Sequence, residues 1–389
     1  MRTALVAWDY PPSPSGLSNA AREIAESLVE AGADVTVFTL DRTGRSRAGG
    51  VTIVGCGIAG GDPLGVLEGR AGIGRLAAPL AGRRAVLGVH AERPFDVVEA
   101  TNWYAPGAAL PGHAGFAFVT RNSTPAALSR EPAPSRRDRF DGWFVDRLEA
   151  TSARRSAGLI SNTSAHAEEI ARAYRLSAGV PHAAIGLSLQ AGMLERGRAA
   201  SYPGTMAPVR ILFVGRAERR KGFDLILDAT ERLAADPALD FELVLVGIAQ
   251  TDLPNTLSAE ARRRIRLPGR LPGERLEVEY GRSHAILAPS RYESFGLVYQ
   301  EAFAYGRPVV ACSADASARA FIGQPGAGLM VQPNGEDLAR ALASIIADGA
   351  LRLTLREHAF AASGRFTRHS LGTQTLALYE TAIAGRRRR

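Results

Sequence analysis

Lysine is almost missing from this chain: Lys221 is the only one among 47 basic residues, and the other 46 are arginine. That bias fits a GC-rich genome better than a nucleic-acid surface, and nucleic acid is not expected as a partner. Cysteine is nearly absent too. Two residues, Cys56 and Cys312, exclude a disulfide framework and a thiolate metal cluster, and a reducing compartment is the default. No Asp-x-Asp occurs and the seven histidines are scattered, so neither a metal site nor a cofactor is expected. Long apolar runs are missing: no stretch of about 18 residues is apolar and free of charge, which excludes a spanning helix. The opening run from Thr3 to Trp8 stops at Asp9 and Pro11-Pro12, too short for a signal segment, and reads as a buried strand. A cytoplasmic location is expected, with the inner-membrane surface as a peripheral alternative.

What is present is ordinary globular composition over 389 residues, 46% hydrophobic and 22% charged, too long for one compact core and right for two. The net charge of +8 favours anionic partners such as phosphates, nucleotides or acidic lipid. A strand at 3–8, a helix from Asn19 to Ala31 capped by Gly32, and a strand at 34–40 make one βαβ unit, hence a parallel sheet with a right-handed crossover. Further strands are expected at 51–54, 95–100, 116–120 and 157–161. A helix is expected over 138–155 with Trp143, Phe144 and Leu148 as its buried stripe; 60–92 resists placement. The Gly, Ser and Pro residues of 190–208 read as a linker. Beyond it strands fall at 209–214, 241–246, 264–267, 284–288, 308–311 and 328–331, with helices at 222–235, 273–281, 299–305 and 336–348. The fold class is therefore α/β with two doubly wound domains and a ligand cleft at the carboxyl ends of the strands. The domains are 1–190, onto which a helix at about 370–389 packs back, and 205–369.

Three motifs are candidates for chemistry, and two of them hold. Gly55-Cys56-Gly57-Ile58-Ala59-Gly60 matches a dinucleotide fingerprint, but Gly61-Asp62-Pro63 stands where a helix should open, so it reads as a loop. Gly215-Arg216 through Lys221-Gly222 links a buried strand to a helix start. Amides and two cations, one bidentate and one a point charge, suit a diphosphate there. A solvated basic loop is the plainer reading, but the one lysine of the chain sits in it. Pro289-Ser290 through Glu293, Phe295, Gly296, Leu297 and Glu301 places two carboxylates around amides at a helix start, a pattern suited to a polyhydroxylated, negatively charged ligand. Two surface glutamates favoured by the helix dipole are the alternative.

Together with Gly306-x-Pro308-Val309-Val310, these residues resemble the retaining GT-B-fold glycosyltransferases of glycosyltransferase family four, the group 1 type. The resemblance is strongest over about 209–345. It implies that Arg216 and Lys221 hold the donor diphosphate and that Glu293 binds donor-sugar hydroxyls with the amides of Phe295, Gly296 and Leu297. It also implies that Glu301 holds the ribose, that Leu271 meets the base, and that Gly215 and Gly16 lie by the diphosphate. Three segments depart from the family: Gly16-Leu17 replaces paired glycines, Ser123 in Arg121-Asn122-Ser123-Thr124-Pro125 replaces a histidine, and Ser313-Ala314-Asp315-Ala316-Ser317 replaces Gly-Gly-x-x-Glu.

The implied activity is metal-independent transfer of a sugar, with retention, from a nucleoside-diphosphate sugar (a UDP-sugar foremost) to an acceptor hydroxyl on a glycan, a lipid-linked carrier or a small molecule. An epimerase or hydrolase on the same fold, or a non-catalytic sugar-nucleotide-binding protein, are the rivals. Asn102, Trp103, Asn122 and Ser123 follow two expected strands and are the acceptor candidates, with Trp103 as stacking platform or as core. His166 reads as surface, and Arg386 to Arg389 as a solvated tail or a weak contact to anionic membrane.

Overall fold

The computed structural model describes residues 1–13, 15–130 and 135–387. The chain divides into two units: Met1–Ser188 together with the residues from Phe366 onward, and Leu189–Arg365. Proline 14, residues 131–134 and the last two arginines of the tail lie outside the described residues.

The first unit is built on eight strands: β1 (Arg2–Ala7), β2 (Asp34–Thr39), β3 (Thr43–Ala48), β4 (Val51–Cys56), β5 (Val97–Thr101), β6 (Ala117–Arg121), β7 (Gly158–Ser161) and β8 (His182–Ala184). They lie in the order β3-β4-β2-β1-β5-β6-β7-β8, parallel except for the β3–β4 pair. The order reverses between β1 and β5. Helices α1 (Gly16–Glu30), α2 (Pro63–Glu68), α3 (Ala77–Glu92), α4 (Ala126–Ser129), α5 (Arg136–Arg154), α6 (Ser164–Tyr174) and the terminal α15 (Arg368–Arg387) belong to it. β1, β2 and β5 are buried almost along their whole length, as strands covered on both faces must be, and beyond their first residues are apolar apart from threonines and Glu99.

Several local readings change. α1 starts at Gly16 rather than Asn19, because Ser15 Oγ caps it by accepting from the Ser18 amide at 2.9 Å. β3 carries no core-facing apolar residue and is exposed along its length, so patterning could not reveal it; Gly49 and Gly50, with φ of 58° and 77°, make the tight turn that pairs it with β4. In the glycine triplet, Gly55 lies within β4, where a Cβ would meet the Thr43 backbone at 2.6 Å, and the next helix waits for the Asp62 cap. α5 buries Val145, Glu149, Ala150 and Ala153, not the expected stripe: Trp143 is half-exposed and Phe144 and Leu148 are only partly covered. His166 is buried at 2% exposure, not on the surface.

α15 packs along α1 and against β6 and β7. Arg368 bonds Glu23 on α1 at 2.7 Å and pairs with Glu26 and Glu30. Tyr379 donates to Glu99, and Glu99 pairs at 2.7 Å with Arg121, which also bonds Thr375. Arg386 reaches the carbonyl of Ala114.

The second unit holds β9 (Val209–Val214), β10 (Phe241–Val246), β11 (Ile265–Gly269), β12 (Ala285–Ala288), β13 (Val309–Cys312) and β14 (Gly328–Val331), all parallel, in the order β11-β10-β9-β12-β13-β14. Its helices are α7 (Met193–Ala199), α8 (Phe223–Ala234), α9 (Ala259–Arg263), α10 (Gly273–Arg282), α11 (Leu297–Ala304), α12 (Ala316–Ala318), α13 (Gly335–Ala347) and α14 (Gly349–Ala362). Ile211, Leu243, Leu245, Leu287, Leu342 and Ile345 form the centre of its core. The segment 190–208, read as a linker from its composition, contains α7, whose Gly197 packs against the Ala304 carbonyl with no room for a Cβ. Among the described residues no helix is long and apolar enough to cross a membrane.

Candidate functional site

In the second unit the strand order reverses between β9 and β12, the place where loops diverge and leave a crevice in doubly wound sheets. The two loops that end there carry both chemical motifs. After β9, residues 215–218 lead into a single turn at Arg219–Lys221, then Gly222 at φ 74° opens α8. A Cβ on Gly222 would meet the Pro289 carbonyl at 2.3 Å, so the glycine lets the loop after β12 lie against the loop after β9.

That contact brings the charges together. Lys221 Nζ lies 2.5 Å from Glu293 Oε1, Ser290 Oγ donates to the same oxygen at 2.7 Å, and Arg220 stands 3.5 Å from Oε2. Burial alone would raise the Glu293 carboxyl; Lys221 and then Arg220 outweigh it and hold it below the ordinary carboxylate range. The Glu293 backbone is fixed as well. Its amide donates to Asp315 Oδ1 at 2.9 Å and its carbonyl accepts from Ser317 Oγ at 3.0 Å. Tyr299 of α11 donates to the other Asp315 oxygen, and burial followed by the Glu293 charge lifts Asp315 to about 6. The segment that departs from the family pattern therefore supports Glu293.

Arg216 is the most exposed of the set, at 62%, and bonds Glu218, which in turn bonds Arg220. Arg220 was passed over in the sequence; its signal was the Arg219-Arg220-Lys221 run, in which only the third residue seemed special. Gly215 packs under Gly247, whose missing Cβ would fall 2.4 Å from the Gly215 carbonyl. Leu271 follows β11 and is half-buried at the same sheet edge. Gly296 (φ 82°) opens α11, leaving Leu297 as its first residue; Phe295 is buried beneath. Glu301 lies just over one turn into α11, accepts from Tyr280 OH at 2.7 Å and is raised by burial. The structure thus gathers Lys221 and Glu293 directly and Arg216 through Glu218. Glu301 stands apart, near enough to Lys221 to feel its charge.

The first unit gathers a second group where its own order reverses. Trp103, after β5, is half-buried, its indole N–H 3.2 Å from Ser129 Oγ and its ring edge-on to Tyr104 at 4.8 Å and to Trp8 at 6.5 Å. Asn102 and Asn122, expected to meet acceptor hydroxyls, are fully buried. Asn102 accepts from the Ser123 amide at 2.7 Å and donates to Tyr174 OH; Asn122 donates to Ser161 Oγ. Both face the protein interior and position loops. Ser123 is half-exposed, and His166 hydrogen-bonds its backbone; burial drops that imidazole to about 4, so it is neutral. Gly16 is exposed at the start of α1, beside the Ser15–Asp9 hydrogen bond at 2.5 Å.

Sequence reading missed Glu149 altogether. From α5 it accepts from the Tyr104 amide at 2.8 Å, the Ala126 amide at 3.2 Å and Tyr174 OH at 2.7 Å. One carboxylate thus ties the loop after β5 to the loop after β6, and it holds Tyr104 and Ala105 in the left-handed region at φ 53° and 42°. Burial pushes it up to about 7. A glutamate among arginines on a surface-like helix gave no hint of this.

The chain matches two families in succession: Glycosyl transferase 4-like domain over residues 15–182 and Glycosyl transferases group 1 over 208–348. It is 28% identical over 407 residues to a D-inositol 3-phosphate glycosyltransferase of Kineococcus radiotolerans, covering 94% of this chain and 90% of the relative. The corresponding protein of Corynebacterium aurimucosum is 31% identical over 183 residues, less than half of its length (43%) and 45% of this chain. The structure of Anabaena HepE, determined in complex with UDP and glucose, superposes with a TM-score of 0.67 at 19% identity, covering 97% of this chain and 98% of that one.

Proposed function

Since the chain belongs to the group 1, GT4-like glycosyltransferases of GT-B fold, we propose that it transfers a sugar, with retention, from a UDP-sugar to an acceptor hydroxyl. The observation that carries the reading is the Lys221–Glu293 pair at 2.5 Å, set between two helix starts where the sheet order reverses. A cation for a diphosphate and a carboxylate for sugar hydroxyls stand within one ligand's length.

When donor binds, its diphosphate takes Lys221 and Arg216 as partners, backed by the amides at the starts of α8 and α11. Glu293, freed from part of its bond to Lys221, accepts from hydroxyls of the sugar, and Glu301 accepts from the ribose. The bond from the anomeric carbon to the diphosphate oxygen breaks with its electron pair leaving on the diphosphate. The acceptor oxygen bonds the same face of the carbon, and its proton passes to the departing phosphate oxygen. Glu293 is already engaged by Lys221, Ser290 and Arg220, which favours binding over attack on the sugar and supports a single front-face displacement. Preorganised charge on the leaving group is worth about 3–4 kcal/mol per key donor. Arginine and lysine supply that charge in this reading, so transfer survives excess EDTA. The bound UDP named for the Anabaena relative supports uracil as the base.

The test is calorimetry and product analysis. UDP should raise the melting temperature more than GDP or ADP, because a ligand bound only by the folded state stabilises it by mass action. Glu301→Ala should weaken UDP itself, whereas Glu293→Ala should leave UDP affinity within a few-fold and abolish sugar transfer. No stabilisation by any nucleoside diphosphate, or equal losses of UDP affinity in both variants, would refute the assignment.

A further inference from the structure

The first unit exposes an unusual helix face that the candidate site does not use. On α5, Arg136, Arg139, Phe140, Trp143 and Arg147 recur at three- and four-residue steps and fall on one side of the helix, opposite buried Val145, Glu149 and Ala153. Phe140 and Trp143 are 48% and 50% exposed and stack on each other at 5.9 Å, with the Arg147 guanidinium 5.0 Å over the indole. The patch continues onto the neighbouring segment: Phe140 lies over Gly72, whose amide donates to Asp141, and Ile73 beside it is 43% exposed. Of the described carboxylates on this stretch of α5, Asp138 bonds Ser135, Asp141 pairs with Arg75 and Asp146 with Arg130. The serine leaves the Asp138 charge in place, but Arg136, Arg139 and Arg147 outnumber it, so the exposed charge of this stretch is net positive.

We infer that this face of α5 docks the protein on an anionic lipid surface, with Phe140, Trp143 and Ile73 entering the headgroup boundary and Arg136, Arg139 and Arg147 meeting lipid phosphates. A helix lying flat with aromatics flanked by arginine is the composition that interfaces retain. The protruding sector is one helix wide and about 16 Å long, roughly 200 Å², far below the roughly 800 Å² per partner of a stable protein interface. A bilayer needs no matching shape. The inference stands on unit 1 alone and does not depend on the donor or the acceptor.

Co-sedimentation of the full chain with vesicles tests it. Binding is expected to phosphatidylcholine vesicles containing phosphatidylglycerol, not to phosphatidylcholine alone, and it should fall as salt screens the arginines. Phe140→Ser with Trp143→Ser should cut the bound fraction at least about tenfold, and each of Arg136→Gln and Arg139→Gln about fivefold. All four side chains are exposed, so an unchanged melting temperature should accompany the loss. The inference fails if phosphatidylglycerol vesicles do not bind at low salt or if the double aromatic variant binds as well as the parent. It fails equally if deleting the terminal arginines from Arg386 onward alone removes binding, or if the aromatic variant instead abolishes a concentration-dependent dimer seen by ultracentrifugation without vesicles.

Discussion

Lys221 illustrates how far a single side chain is legible. Its rarity pointed to it, but its partner did not follow from spacing: Glu293 is 72 residues away and meets it only because Gly222 admits the Pro289 carbonyl. Lys221→Ala should reduce turnover by at least about a hundredfold under saturating donor. It should also act on stability. The Glu293 carboxyl is held below its ordinary range, so its contribution is present above the unfolded-state value and is lost as pH falls through the folded one. Removing the lysine raises that folded value, and the acid limb of the melting-temperature profile should move to higher pH. Glu149 behaves oppositely. Its carboxyl is pushed up to about 7 by burial, with Asp146 adding to the rise, so its contribution is full below the ordinary glutamate range and is lost as pH rises through about 7. Glu149→Gln should therefore flatten the decline in melting temperature between about pH 5 and 8 relative to the parent. An unchanged slope would mean the carboxyl titrates normally.

At the scale of elements, strands were read best where burial is continuous. β9 and β10 fall on their expected residues because each is an apolar run broken only by Arg210 or Glu242, and β14 does so as a short apolar run after Gly328, though only Val331 in it is fully buried. β3 was invisible because pairing, not burial, makes it a strand. α5 was found, but its buried side was assigned from the largest apolar residues; the structure instead turns a glutamate and small residues inward and leaves Trp143 out. Apolar size cannot tell a core face from a face kept for something outside the protein. The donor motifs were legible because they sit at strand ends in sequence order. The acceptor side was less so: Asn102 and Asn122 are polar residues placed by hidden partners on β7 and α6. The turn between β9 and α8 yields a direct expectation. Gly222→Ala forces a left-handed φ of 74° on alanine and drives its Cβ into backbone, so it should cost about 1–3 kcal/mol and weaken UDP binding with it, measurable by denaturation and calorimetry.

For the whole molecule, the main constraint is that the chain passes between its units twice, after Ser188 and after Arg365, so that α15 returns to the first. α15 supplies Arg368 to the acidic row of α1, and Thr375 and Tyr379 to the buried Arg121–Glu99 pair. Ending the chain at Arg365 should therefore not merely shorten it. Glu23, exposed at only 3%, would lose Arg368, and removing one side of such a buried pair costs up to about 3–5 kcal/mol; Glu99 would keep Arg121 but lose the Tyr379 hydroxyl. Thermal denaturation of the truncated protein should show the melting of unit 1 lost or strongly lowered, while the transition of unit 2 persists; two unchanged transitions would show that α15 is dispensable. The same return path sets a timetable on the ribosome. Units usually mature in the order they are made, yet here the half that emerges first lacks α15 until the whole of the other half has been made. The half threaded through the middle has all of its strands beforehand, so the first-made unit is the last to be finished.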